Sequence, residues 1–232
     1  MKKESEITTK CDPNPIQNSC FDLLTSSEKN LVENNSVTVV YKKGEIICKQ
    51  GAFASHIIFL QSGLVKQYLE GNPRNLILTI TPSGNMIGLP AIYEGNITFP
   101  YSVATYVNCS VELIDISVFK QILSQNAKFA FRILSILNEN TAQTYGRFFC
   151  ISQKQLHGRL ADILLCLARR VFGNNCFELP LSRNDLAELT GMSTESVIRI
   201  MKDFKDDGLI SSCGKSFEIL DFARLYKISE VG

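Results

Sequence analysis

Between Val37 and Ile116 the apolar residues come in short alternating or β-branched runs. VTVVYKKGEIICKQG, HIIFLQSGLVKQYL, NLILTITPSG and SVATYVNCSVELIDI each read as strands or hairpins. Gly44, Gly51, Gly63, Gly71, Gly84, Gly88 and Gly95 punctuate them at the interval a small all-β barrel needs. From about Ser117 to Ser152 the period becomes that of one long helix. Ala130, Leu134, Leu137, Thr141, Thr144, Phe148 and Ile151 alternate in steps of four and three, a heptad seam that predicts pairing with the same helix of a second copy. Ile133, Ile136 and Phe149 widen the apolar face, so the helix can also lie along its own β-domain. Two threonines in the seam make a weak zipper, which suits an interface that must shift. The predicted division is 1–116 for an N-terminal segment and β-domain, 117–153 for a dimerisation helix and 154–232 for a C-terminal domain.

The last third reads as helices followed by a hairpin. Gly158 to Ala168 (GRLADILLCLA) is an apolar helix. Ser182 to Ile210 (SRNDLAELTGMSTESVIRIMKDFKDDGLI) opens with a Ser cap and a Ser182/Asp185 capping box, then an apolar stripe at Leu186, Ala187 and Leu189. Gly191 supplies the corner, and a second helix capped by Ser193 puts Val197, Ile200, Met201 and Phe204 on one face. Glu195, Ile198, Arg199 and Lys202 lie on the other. SSCGKSFEIL, Ser211 to Leu220, is strand, Gly-Lys turn and strand. This is the layout of a winged helix-turn-helix. In a major groove Arg199 can bridge guanine O6 and N7, and Glu195 can accept from cytosine N4. A plain helical hairpin with a solvated charged face would share the inner stripe, and the following wing favours the DNA reader.

Composition narrows the field less. The 232 residues carry 24 Lys plus Arg against 23 Asp plus Glu, and Lys154 to Gly232 carries 11 of each. A sequence-tolerant nucleic-acid binder would show a basic excess, whereas a sequence-specific one can confine its cations to one face. MKKESEITTK lacks the apolar stretch of a secretory signal, and no apolar run has the length of a membrane helix, so a cytoplasmic protein with no membrane partner is expected. Eight irregularly spaced cysteines then read as thiols.

SRNDLAELTG, TESVIR, GLI and GKSFEIL, with KKGEIICKQG and FLQSGLVKQY upstream, resemble the CRP/FNR family of bacterial transcription regulators. The resemblance covers almost the whole chain and implies an α+β protein: a double-stranded β-helix (the cyclic-nucleotide-binding roll), a dimerisation helix and a winged helix-turn-helix. It implies a homodimer on a pseudo-palindromic operator, controlled by a signal at the roll, with RNA polymerase as a partner if the protein activates. The family's Glu-x-x-x-Arg pair falls on Glu195 and Arg199, with Thr194 and Ile198 as the neighbouring base readers. Ser182, Arg183, Ser193, Ser196 and Lys215 match phosphate-contacting positions, and Lys202 extends that set.

The signal is less legible. Met86, Leu89, Tyr101, Ser102 and Thr144 fall where the family's effector pocket would be. The cyclic-AMP branch uses a Glu for the ribose and an Arg for the phosphate. Here the segment Ile87-Gly88-Leu89-Pro90 has no carboxylate, and Tyr101 replaces the Arg, so cyclic AMP is not expected. The oxygen-sensing branch holds an iron–sulfur cluster on four cysteines. Cys11 and Cys20 match two of them, the middle one is missing, and Cys109 is out of register with the fourth. A haem sensor of nitric oxide, with His56 as ligand and Met86 or Tyr101 nearby, is a third option, and another small molecule is a fourth. A cupin-like enzyme would need clustered His ligands, and the two histidines stand apart, so no enzyme is expected. A cyclic-nucleotide-type adaptor acting through protein contacts is the remaining alternative.

Overall fold

The computed structural model describes residues 17–95 and 97–231. Among the described residues eight strands form the N-terminal roll: β1 (Ser36–Tyr41), β2 (Ile46–Cys48), β3 (His56–Ser62), β4 (Leu64–Leu69), β5 (Leu76–Pro82), β6 (Asn85–Ile87), β7 (Ser102–Thr105) and β8 (Cys109–Asp115). They make two antiparallel sheets, ordered β1-β8-β3-β6 and β2-β7-β4-β5. Ile58, Leu60, Val65, Ile87, Val103 and Val111 fill the space between the sheets.

The outer faces are covered as well, each by a different part of the chain. Ile57 on β3 and Ile114 on β8 point away from the roll interior and pack under helices, in a cluster with Phe119, Ile122, Phe129, Ile133 and Ile136. That double burial explains why HIIFL reads as a near-continuous apolar run, since both strand faces meet hydrocarbon. On the second sheet the outward Leu64, Tyr68, Ile77, Ile80, Ala104 and Tyr106 join the core of the C-terminal domain. The roll is therefore clad by helices on one side and by the winged helix on the other.

The helices covering the first sheet are α1 (Ser26–Asn34), α2 (Ile116–Gln125) and α3 (Ala127–Gln153). The single helix expected from Ser117 to Ser152 is two. Asn126 breaks it with extended backbone (φ −115°, ψ 94°), ends α2 and caps α3 by accepting from the Phe129 N–H at 3.0 Å. An Asn that satisfies a free backbone donor outside the helix competes well with continuing it. The exposed apolar stripe keeps Leu134, Thr141 and Phe148 of the expected seam and is offset by one residue at the alternate positions. Ala130, Leu137 and Ile151 are half-buried against their own chain, while Phe131, Leu134, Tyr145 and Phe148 are 53–73% exposed. The outward stripe runs Phe131, Leu134, Asn138, Thr141, Tyr145, Phe148, again in steps of three and four.

The C-terminal domain follows as α4 (Leu156–Cys166), a π-helical turn at Leu167–Val171, β9 (Cys176–Glu178), α5 (Arg183–Thr190), α6 (Thr194–Asp206), β10 (Ile210–Cys213), β11 (Ser216–Ile219) and α7 (Phe222–Val231). β10 and β11 pair as the expected wing hairpin, and β9 adds a third strand in the order β10-β11-β9. Phe204, Phe217, Leu160, Leu164, Leu186, Val197 and Ile200 centre its core. Among the described residues no helix is long and apolar enough to cross a membrane.

Candidate nucleic-acid interface

Local chemistry sets the two helices of the reader. Ser182 accepts from the Asp185 N–H at 3.1 Å, and the Asp185 carboxylate answers by accepting the Ser182 N–H at 2.9 Å, a closed capping box. Gly191 ends α5 at φ +65°, a left-handed conformation that any side chain would strain. Ser193 then caps α6 by accepting from the Ser196 N–H at 3.1 Å. Ser182→Ala is expected to cost about 0.5–2 kcal/mol of stability, because it removes one partner of the box. An unchanged denaturation midpoint would show that the box contributes nothing.

These caps hold α6 with its apolar face (Val197, Ile200, Met201, Phe204) buried and its other face open. Glu195, Ile198, Arg199 and Lys202 are exposed, and Thr194 is half-buried, its hydroxyl 3.4 Å from Asn184 Oδ1. The Glu195 carboxylate accepts its own backbone N–H and the Ser193 hydroxyl, which hold it below the usual carboxylate range. It is thus ionised and ready to accept from a base amine. Ser182 and Lys215 are exposed, Ser193, Ser196 and Arg183 partly so, and burial pulls the Arg183 guanidinium down from its ordinary value. The base-reading and helix-borne phosphate candidates thus line α6 and the N-termini of both helices, and Lys215 stands on the β10–β11 turn.

The residues proposed for a signal do not converge in the same way. Met86 and Leu89 lie in the cluster under α2 and α3. Tyr101 packs against the roll interior, and its hydroxyl accepts the Gly88 N–H at 3.2 Å. Burial pushes that phenol up to about 12. Ser102 is fully buried and donates to Glu70 at 2.7 Å, while the Thr144 hydroxyl is spent on the Asn140 carbonyl of its own helix. Cys20 is buried among apolar side chains, which pushes its thiol up to about 12, and Cys109 donates to the Val107 carbonyl from the other core cluster. A cluster needs converging thiolates, and these two thiols neither converge nor ionise readily. Cys11 lies outside the described residues. His56 Nδ1 is 2.8 Å from the Ser55 hydroxyl. Among the described residues no three His, Cys, Asp or Glu side chains are placed to share a metal ion.

Sequence reasoning missed one group of polar residues at this site. Lys66 and Arg74 come from the roll, yet they bond to α5 and to the α5–α6 turn. An outward lysine in a strand carries no mark of its partner, so the sequence holds no signal for it.

A winged helix-turn-helix with an open, capped second helix, carried beneath an eight-stranded roll, defines a DNA-binding regulator. Comparison with known proteins agrees. The family model for the cyclic nucleotide-binding domain matches residues 38–126, and that for the Crp-like helix-turn-helix domain matches 158–228. The transcriptional activator protein FnrA of Stutzerimonas stutzeri is 28% identical over 191 residues, covering 78% of this chain and 75% of that protein. The cAMP-activated global transcriptional regulator CRP of Salmonella typhimurium is 24% identical over 183 residues, covering 77% and 87%. FixK2 from Bradyrhizobium japonicum has the same fold, with a TM-score of 0.77 at 20% identity over 85% of this chain and 98% of that one. The two domains in this order place the chain in the CRP/FNR family of transcription regulators.

Proposed function

We propose that the protein binds a pseudo-palindromic operator as a homodimer, using Thr194, Glu195, Ile198 and Arg199 to read base edges. Ser182, Arg183, Ser193, Ser196, Lys202 and Lys215 fix its register on phosphates, which carry position but no sequence information. The observation that carries this reading is the exposed Glu195–Arg199 face of α6, a helix whose N-terminus is capped by Ser193. The apolar stripe on α3 supports the dimer, since two copies related by a two-fold axis would bury it. A cytoplasmic site of action follows from the target, no reaction is assigned to the chain, and contact with RNA polymerase follows if the protein activates. The signal acts at the roll and is not cyclic AMP: the place of the phosphate-binding arginine is taken by Tyr101, whose hydroxyl already occupies the Gly88 amide.

The test is selection of binding duplexes from a random pool, followed by footprinting. Two half-sites about one helical turn apart are expected. Arg199→Ala should then cost about 1–3 kcal/mol and relax the preference at one guanine per half-site. Equal weakening on every duplex would reduce Arg199 to a phosphate contact. No selected sequence at all would end the DNA reading.

A further inference from the structure

The reader domain does not hang freely from α3. The first helix of its helix-turn-helix, α5, is buried at every residue from Asp185 to Thr190: Asp185 is 8% exposed, Glu188 7% and Thr190 1%, beside the expected apolar stripe. An amphipathic helix on a domain surface would leave such residues in water. The roll reaches Asp185 and Glu188 here. Lys66, outward on β4, puts its ammonium 2.9 Å from Asp185 Oδ1 and 3.9 Å from Glu188 Oε2. Glu188 Oε2 makes no hydrogen bond, whereas Oε1 accepts from Asn184 at 3.1 Å. The ammonium also lies 5.5 Å and 5.6 Å from the ring centres of Tyr68 and Tyr106. On the loop after β4, Arg74 donates to the Met192 carbonyl at 2.6 Å, in the turn between α5 and α6. Arg147 of α3, half-buried, donates to the Ile77 carbonyl of β5 at 3.2 Å. The β4–β5 ribbon is thus bonded to the long helix at one point and to the reader at two.

From this geometry we infer that Lys66 and Arg74 are positioning residues for DNA binding, forming a clasp by which the roll sets the orientation of α6. Two observations and one physical argument give the clasp its sign. The reading face of α6 stays open while the clasp is closed, so docking on the roll does not hide it. Lys66 neutralises two carboxylates on the very helix whose N-terminus carries Ser182 and Arg183, where phosphates must approach. Fixing both reader domains before they meet DNA also removes an ordering cost that a swinging domain would meet on binding. The carboxylate that Lys66 pairs is held ionised. Burial raises Asp185, and the Ser182 hydroxyl and Lys66 outweigh it, leaving the group below its ordinary range. Losing the lysine would leave two buried carboxylates without their cation, which drives α5 off the sheet toward water.

The inference rests on the DNA-binding reading, and its test separates the two. Full-length protein is compared with Lys66→Met and with Lys66→Met/Glu188→Gln, on the duplex selected by the wild type and on an unrelated duplex of equal length. Hydrogen exchange of the α5 amides reports docking directly. Lys66→Met is expected to expose α5 to faster exchange and to weaken the selected duplex at least tenfold, with a smaller change on the unrelated one. The second substitution, which removes one stranded carboxylate but keeps the Asn184 bond, is expected to restore slow exchange and part of the affinity. A lysine that merely props up the roll would not be rescued from α5. Fast exchange with unchanged or tighter binding would overturn the positioning role, and unchanged exchange would overturn the clasp. A wild type that selects no duplex would sink the DNA reading instead, leaving the exchange result to decide the clasp alone.

Discussion

Phe148→Glu is expected to turn the protein from a dimer into a monomer at micromolar concentration. Phe148 is 73% exposed in one chain and shares an outward stripe with Phe131, Leu134 and Tyr145. Few isolated chains leave three aromatic rings and a leucine in water along one helix face, and a patch of that kind marks an interface. In a parallel pair the stripe meets itself, so a single substitution changes both sides of the contact. Burying one phenylalanine contributes about 1.5–3 kcal/mol. Losing two therefore weakens the pair by about 3–6 kcal/mol, roughly two to four orders of magnitude in the dissociation constant, before like-charge repulsion is counted. Sedimentation equilibrium decides it. A variant that remains dimeric at nanomolar concentration would show that the stripe has another use. A matched loss of affinity for two half-sites, with little loss for one, would show that dimerisation serves the operator.

The stripe also shows where reading from sequence stopped. Steps of three and four through α3 allow two overlapping registers, one beginning at Ala130 and the other at Phe131. Both contain Leu134, Thr141 and Phe148, and only the roll decides between them, by burying Phe129, Ile133 and Ile136 and turning the opposite face outward. The reader was legible for the contrary reason. Its caps at Ser182 and Ser193, its glycine at Gly191 and its wing turn at Gly214 act within a few residues of themselves, so spacing alone reveals them. Lys66 and Asp185 are 119 positions apart, and nothing local in either segment announces the other. The pocket suffers from the same distance. Tyr101 shows that the arginine is gone, but that its hydroxyl would take up the Gly88 amide depends on how the roll closes.

Phe204→Ala is expected to be the most damaging single truncation within the reader. The ring is 1% exposed and belongs to the cluster that joins α4, α5, α6 and the wing, with His157 edge-on to it at 5.9 Å. Removing a buried phenylalanine costs about 3–5 kcal/mol once the cavity is included, against the 5–15 kcal/mol that holds a typical domain folded. The loss should not fall evenly. The interior of the roll is a separate cluster around Leu60, Val65, Val103 and Val111, and no residue of it belongs to the reader. The outer sheet face is shared, through Tyr68, Ile77, Ile80 and Tyr106. Region-resolved hydrogen exchange should therefore find α4, α5 and α6 far less protected, β4 and β5 moderately so, and β3 and β8 unchanged. If β3 and β8 lose protection to the same extent as α6, the docking face welds roll and reader into one cooperative unit, and a hinge motion between them would have to break that unit open.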